Sequence, residues 1–140
     1  MRLMELLTTE ELRDHILGDY SKIEDVVAIK ESINFKKNIP NADDGSYIYA
    51  DEMGYHYAYC ERGNEFTHKL TDDVFEISFW VLDDITTTAA FDYELHHRDG
   101  SKNYREVAFE KQLEYLDMMG ENYRKRGEIE IDEILKAYPL

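Results

Sequence analysis

Cysteine occurs once in these 140 residues, proline twice, and lysine plus arginine 16 times against 31 aspartates and glutamates. Each scarcity removes a class of protein. The lone Cys60 cannot close an internal disulfide, which suits a reducing compartment and argues against a disulfide-stapled secreted scaffold. Few prolines, together with 43% hydrophobic and 13% aromatic residues, exclude the composition of a disordered chain. The shortage of basic residues leaves a formal charge of −15. Residues 1–70 hold 8 basic and 14 acidic residues and residues 71–140 hold 8 and 17, so the whole chain is acidic and no tail accounts for it. Such a field repels nucleic acid and anionic lipid and draws in basic partners by fast, salt-sensitive association. The plainer account is that acidic surfaces keep cytosolic proteins soluble.

Long apolar runs are also missing. The N-terminal MRLMELLTTEEL has one arginine, then Glu5, and no unbroken stretch of signal-peptide length. Elsewhere Asp, Glu or Thr interrupts every apolar segment, so the expectation is a cytoplasmic protein with no membrane contact. There is no phosphate-binding glycine loop, nucleophile elbow, zinc-helix motif or calcium loop. Without repeats or a linker, 140 residues are expected to form a single domain, 1–140.

What is present is clear periodicity. Thr8 and Glu11 have the spacing of a capping box, with Leu7 and Leu12 as a hydrophobic staple, predicting a helix from about Thr9 to Leu17 closed by Gly18. Ser21 and Glu24 suggest a second box ahead of Ile23, Val26, Val27 and Ile33, hence a second helix, although its β-branched residues weigh against it. Lys36 to Gly45 is rich in turn formers and reads as a loop. From Ser46 the period becomes two. SYIYAD, YHYAYCER and EFTHKL read as strands, joined by a three-residue loop at Glu52-Met53-Gly54 and a two-residue loop at Gly63-Asn64. Thr71-Asp72-Asp73 then begins a long helix to about His96, with apolar residues on two faces. Phe109, Leu113, Leu116 and Tyr123 trace a third strong helix, and Ile131, Ile134 and Leu135 a short last one before Pro139. The expected fold is α+β: a three-stranded antiparallel meander packed against a long central helix, with further helices before and after it.

The densest chemistry lies in YHYAYCERGNEFTHKL, Tyr55 to Leu70, where His56, Cys60 and His68 are three potential metal ligands. A Gly63-Asn64 loop sets Tyr59 opposite His68 and Tyr57 opposite Leu70. That register puts Tyr55, Tyr57, Tyr59, Phe66, His68 and Leu70 on one face, and His56, Ala58, Cys60, Thr67 and Lys69 on the other. The three ligands then do not converge unless a bulge shifts the register, and the expectation is no metal. Cys60 has no histidine in direct reach and Lys69 as its only nearby cation, which reads as a structural thiol. His96-His97 suit the negative end of the long helix, and Arg124-Lys125-Arg126 likewise suit a helix end. Acid pairs such as Asp72/Asp73 and Asp83/Asp84 are ordinary among 31 acids. No catalytic residue or cofactor is expected.

GYHYAYCERGNE, a long helix ending in FDYELHHR, then NYREVAFEKQLEYLDMMG and EIDEILKAYP follow one another from about Tyr55 to Pro139. In that order they resemble the immunity protein 63 family of bacterial polymorphic toxin systems. The residues that carry the resemblance are Tyr57, Glu61, Arg62 and Gly63, then Tyr93, Glu94, Leu95 and Arg98, then Arg105, Phe109 and Gln112. The family's acidic residue ahead of that last arginine has no counterpart, since Asn103 stands in the region. The resemblance implies a non-enzymatic protein that binds and neutralises a cognate toxin domain by occluding its active or substrate-binding surface. A nuclease with a basic surface would suit the charge. No direct nucleic-acid or membrane partner is implied, and monomer and homodimer both stay open. Glu61, Arg62, Arg98 and Arg105 are read either as an internal ion network joining hairpin to helices or as contacts to the toxin. An acidic adaptor or nucleic-acid mimic is the alternative function, and a small enzyme with an unrecognised site a third.

Overall fold

A computed structural model describes residues 5–140; the N-terminal reading of residues 1–4 lies outside them. Along the chain run α1 (Thr9–Tyr20), β1 (Ile33–Asn34), β2 (Gly45–Asp51), β3 (Gly54–Glu61), β4 (Asn64–Thr71), α2 (Val74–His96), α3 (Tyr104–Met119) and α4 (Glu121–Ala137). The contacts divide the described chain into two compact units. One holds the residues up to Gly18 with Ile29–Val81, the other Asp19–Ala28 with Leu82–Leu140. The fold class is α+β, with four helices and one mixed four-stranded sheet.

In the first unit α1 starts where its capping box places it. The Thr8 amide donates to Glu11 Oε1 at 2.9 Å and the Glu11 amide to Thr8 Oγ1 at 3.1 Å. The helix runs through Gly18 instead of stopping there, burying Leu12 and Ile16. Thr9 Oγ1 accepts the Ala50 amide at 2.9 Å, fixing the helix start to the end of β2. The sheet order is β1-β2-β3-β4, and the expected antiparallel meander is its β2-β3-β4 part. The addition is β1, two residues that pair parallel to β2 through Ile33↔Ser46 and Asn34↔Tyr47. The first turns of α2 complete this unit, with Asp73 Oδ1 accepting the Phe75 amide at 2.8 Å as an N-cap and Ile77, Phe79 and Val81 buried.

The expected helix after Ser21 is absent. Residues 21–26 form turns held by short-range bonds such as Ile23 amide to Tyr20 carbonyl and Val26 amide to Ile23 carbonyl. Two forces displace the helix: β-branched side chains lose rotamer freedom in it, and burial of Ile23 and Val27 is met without it. These turns belong to the second unit, where Tyr123 Oη donates to Asp19 Oδ2 at 2.6 Å.

The rest of the second unit is α2 from Leu82, then α3 and α4. The third and last helices differ from the expected division. Gly120, at φ 150°, ends α3 and precedes α4, so Tyr123 lies on a 17-residue final helix. Asn103 is the N-cap of α3, its Oδ1 accepting the Arg105 amide at 2.9 Å. Helices α3 and α4 approach so closely at Gly127 that an added Cβ would lie 2.4 Å from Leu116 Cδ1.

Candidate partner-binding site

The β3–β4 hairpin departs from the expected register: its loop closes one residue earlier, and a bulge beyond the tip takes back only part of the shift, leaving the pairs from Tyr59 onward one residue out. Glu61 pairs with Asn64, so Arg62-Gly63 is the two-residue loop. Both residues have positive φ, 53° and 78°, as a type I′ turn requires. Cys60 faces Glu65, while Tyr59 faces Thr67, which leaves Phe66 as the extra residue of a bulge. Beyond it Ala58 faces His68, Tyr57 faces Lys69 and His56 faces Leu70. Paired residues share a face, so His68 and Leu70 move to the side of His56, Ala58 and Cys60.

The expectation that His56 and His68 lie on opposite faces is therefore corrected. The bulge admitted as the one exception is there, and the two imidazoles touch, His56 Nδ1 to His68 Nε2 at 2.7 Å. Their outer nitrogens each meet a carboxylate, His56 Nε2 to Asp51 Oδ1 at 2.7 Å and His68 Nδ1 to Glu65 Oε1 at 2.8 Å. Asn38, from the loop before β2, donates to Glu65 Oε2 at 2.6 Å and lies 3.6 Å from Cys60 Sγ. Tyr49 stacks on His56 at 4.4 Å, and Tyr47, Ala58, Cys60 and Ala42 form a small apolar cluster. Two carboxyls respond. The hydrogen bond from His56 holds Asp51 below its ordinary range, against its desolvation and with help from the Met53 and Gly54 amides. Burial alone would raise Glu65, but hydrogen bonds from His68 and Asn38 and the nearby imidazoles outweigh it and lower it. Among the described residues no group of three or more His, Cys, Asp or Glu is arranged to hold a metal.

The other face of the hairpin carries Tyr55 and Tyr57, both buried. Lys69, opposite Tyr57, lies over the rings of Trp80 at 4.8 Å and Tyr57 at 5.8 Å. Strand β4 is the sheet's outer strand and is exposed from Asn64 to Leu70. Phe66 is 63% and Leu70 45% accessible, an apolar display unusual for an unpaired edge. Arg62 and Gly63 stand exposed at the tip, and the Arg62 amide donates to Asp44 Oδ1 at 2.8 Å.

The remaining residues singled out from the sequence lie in the helical unit. Glu94 is 3% exposed and takes a two-pronged bond from Arg98, Nε to Oε2 at 2.9 Å and Nη2 to Oε1 at 2.7 Å. That hydrogen bond holds the Glu94 carboxyl below its ordinary range despite burial. Arg105 donates to the carbonyls of Tyr138 at 2.6 Å and Pro139 at 3.3 Å, holding the chain beyond α4, and its guanidinium lies 5.8 Å from the Phe109 ring. Both arginines are thus engaged inside this unit. Gln112 is buried, its amide nitrogen donating to Asp83 Oδ1 at 2.7 Å and Thr87 Oγ1 at 2.9 Å. Tyr93 stacks on His97 at 4.0 Å and lines an open groove of about 530 Å³ with Lys111, Tyr115 and Met118. The polar cluster on the sheet escaped the sequence analysis because one inserted residue reverses which face a strand shows. Its only signal was the pair of histidines themselves.

Two results complete this description. No curated protein and no solved structure matches the chain. The family model described as Immunity protein 63 matches residues 50–133, well over half of it, from the end of β2 into α4. That span takes in the hairpin with its Arg62-Gly63 tip, the Glu94–Arg98 pair and the buried Gln112, and the chain belongs to the immunity protein 63 family.

Proposed function

We propose that this protein, acting in the cytoplasm as one domain over residues 1–140, binds a cognate toxin domain and neutralises it by covering its active or substrate-binding surface. The family match over residues 50–133 carries the proposal. The geometry supplies a surface for it. Strand β4 has an open edge with Phe66 and Leu70 displayed, flanked by the exposed Arg62-Gly63 tip. Main-chain pairing along such an edge gives affinity, and alternate side chains give specificity. The −15 charge favours a target with a basic surface, such as a nuclease. The helical-unit residues Glu94, Arg98, Arg105, Phe109 and Gln112 support the fold in this scheme, and Arg62 is the contact residue among those carried by the family pattern.

The deciding experiment co-expresses the protein with its cognate toxin domain, sought as the variable C-terminal domain of a large secreted protein encoded immediately upstream. Rescue of growth and a stable purified complex are expected. Failure of both sinks the proposal. The same charge supports a second reading, an acidic adaptor or nucleic-acid mimic; that protein would bind several unrelated basic proteins with affinities collapsing as salt rises.

A further inference from the structure

We infer that the His56–His68 contact is a built site for one extra proton, and that this proton latches the edge strand β4 to the sheet. The reasoning is a count of hydrogens. Ionised carboxylates only accept, so Asp51 and Glu65 require N–H at His56 Nε2 and at His68 Nδ1. Each imidazole has then used the one hydrogen of its neutral form. The inner nitrogens, His56 Nδ1 and His68 Nε2, would face each other at 2.7 Å with two lone pairs and nothing between them. That distance is a hydrogen bond only if a third hydrogen lies in it. The pair therefore carries three hydrogens on four nitrogens and a single positive charge, held between two carboxylates.

The surroundings favour that cation. The groups facing the pair are Asp51 at the end of β2, Glu65 on β4, the stacked Tyr49 ring on β2, Cys60 on β3 and Asn38 from the covering loop. Two of these are anions and no cation is among them. With His56 buried, two lone pairs facing each other at that distance would instead force the rings apart. His68 is the β4 partner in this contact and His56 the β3 partner, so the proton is a cross-strand bond placed just past the bulge at Phe66.

The dependence on pH has two limits. Asp51 and Glu65 titrate below their ordinary values, so their contribution is present above those values and is lost as acid protonates them in the folded protein. The shared proton acts in the opposite sense: its contribution is present while it is bound and disappears as rising pH removes it. Strand β4 is held most firmly between these limits.

The test is made on the free full-length protein, without any toxin, so its outcome is independent of the proposed function. Nitrogen-15 spectra of the imidazoles at neutral pH should show both outer nitrogens protonated and one hydrogen shared by the inner two. Hydrogen exchange is read at the Lys69 and Thr71 amides, which lie in the pairs that hydrogen-bond β4 to β3 past the bulge. Corrected for intrinsic rates and referred to β2, they should lose protection by up to about tenfold per pH unit once the proton is released. His68→Gln should abolish that dependence while the β2–β3 amides keep theirs. If His68→Gln is poorly folded, the wild-type spectra alone decide. Two neutral imidazoles at neutral pH would overturn the inference. So would protection of β4 that is flat in pH, or that vanishes on adding a chelator, which would make a metal ion the occupant.

Discussion

Arg62 has a φ of 53°, a left-handed conformation that costs an ordinary side chain on the order of 1 kcal/mol. The next residue, Gly63 at φ 78°, meets the same demand without that cost. Asn-Gly is the favoured pair for such a turn. Arg62→Asn is therefore expected to raise stability by roughly 0.5–1 kcal/mol in a denaturant titration, while weakening a toxin complex if the arginine is a contact. Loss of stability would mean that Arg62 supports the fold after all. Glu94 behaves differently. Its carboxyl is buried and held ionised by Arg98, so it stabilises the fold above its ordinary titration range. That contribution disappears as pH falls through the lowered folded value. Glu94→Gln should flatten the acid limb of the stability profile, read as Tm against pH between about 5 and 3; an unchanged limb would show that the bond with Arg98 does not report on folding.

At the scale of elements, Gln112 ties α3 to α2 through Asp83 and Thr87. Truncation removes the donor, strands those acceptors and opens a cavity. Gln112→Ala should cost about 2–4 kcal/mol, with Gln112→Glu also damaging because a second carboxylate would face Asp83. A loss under about 0.5 kcal/mol would show the bond to be dispensable. The elements also show where local signals suffice. The α1 capping box acts within one turn and forms as its spacing predicts. Helix α2, by contrast, is capped by Asp73, two residues later than the Thr71 expected as its N-cap, with no acid of that triplet left in its first turn. Ser21 with Glu24 has the spacing of the α1 box, yet turns replace the helix, because burying Ile23 and Val27 outweighs a surface cap. Phe109, Leu113, Leu116 and Tyr123 keep an apolar period that continues across Gly120. The α3–α4 boundary was consequently invisible to periodicity.

On the scale of the whole molecule, α2 runs unbroken from Val74 to His96 while the units divide at Val81 and Leu82. A helix melts cooperatively along its length, so the two units are expected to unfold together as one domain. Trp80 fluorescence reports the sheet's unit, and far-ultraviolet circular dichroism reports chiefly the helices. Coincident denaturant transitions by both probes are expected. Separated midpoints would divide the chain into two domains. No described helix is long and apolar enough to cross a membrane.

Family, fold class and most element positions could be read from the linear chain, because capping boxes, two-residue alternation and short motifs each act over a few neighbours. So could the absence of familiar catalytic motifs. What pairing decided was the meeting of His56 with His68. Alternation along each strand was correctly read, but the register between strands depends on where a turn closes and whether a residue bulges out. Moving the loop to Arg62-Gly63 and ejecting Phe66 brought two histidines and two carboxylates onto one face. Long-range pairing can do this and local pattern cannot foresee it, since a one-residue slip reverses every side chain beyond it.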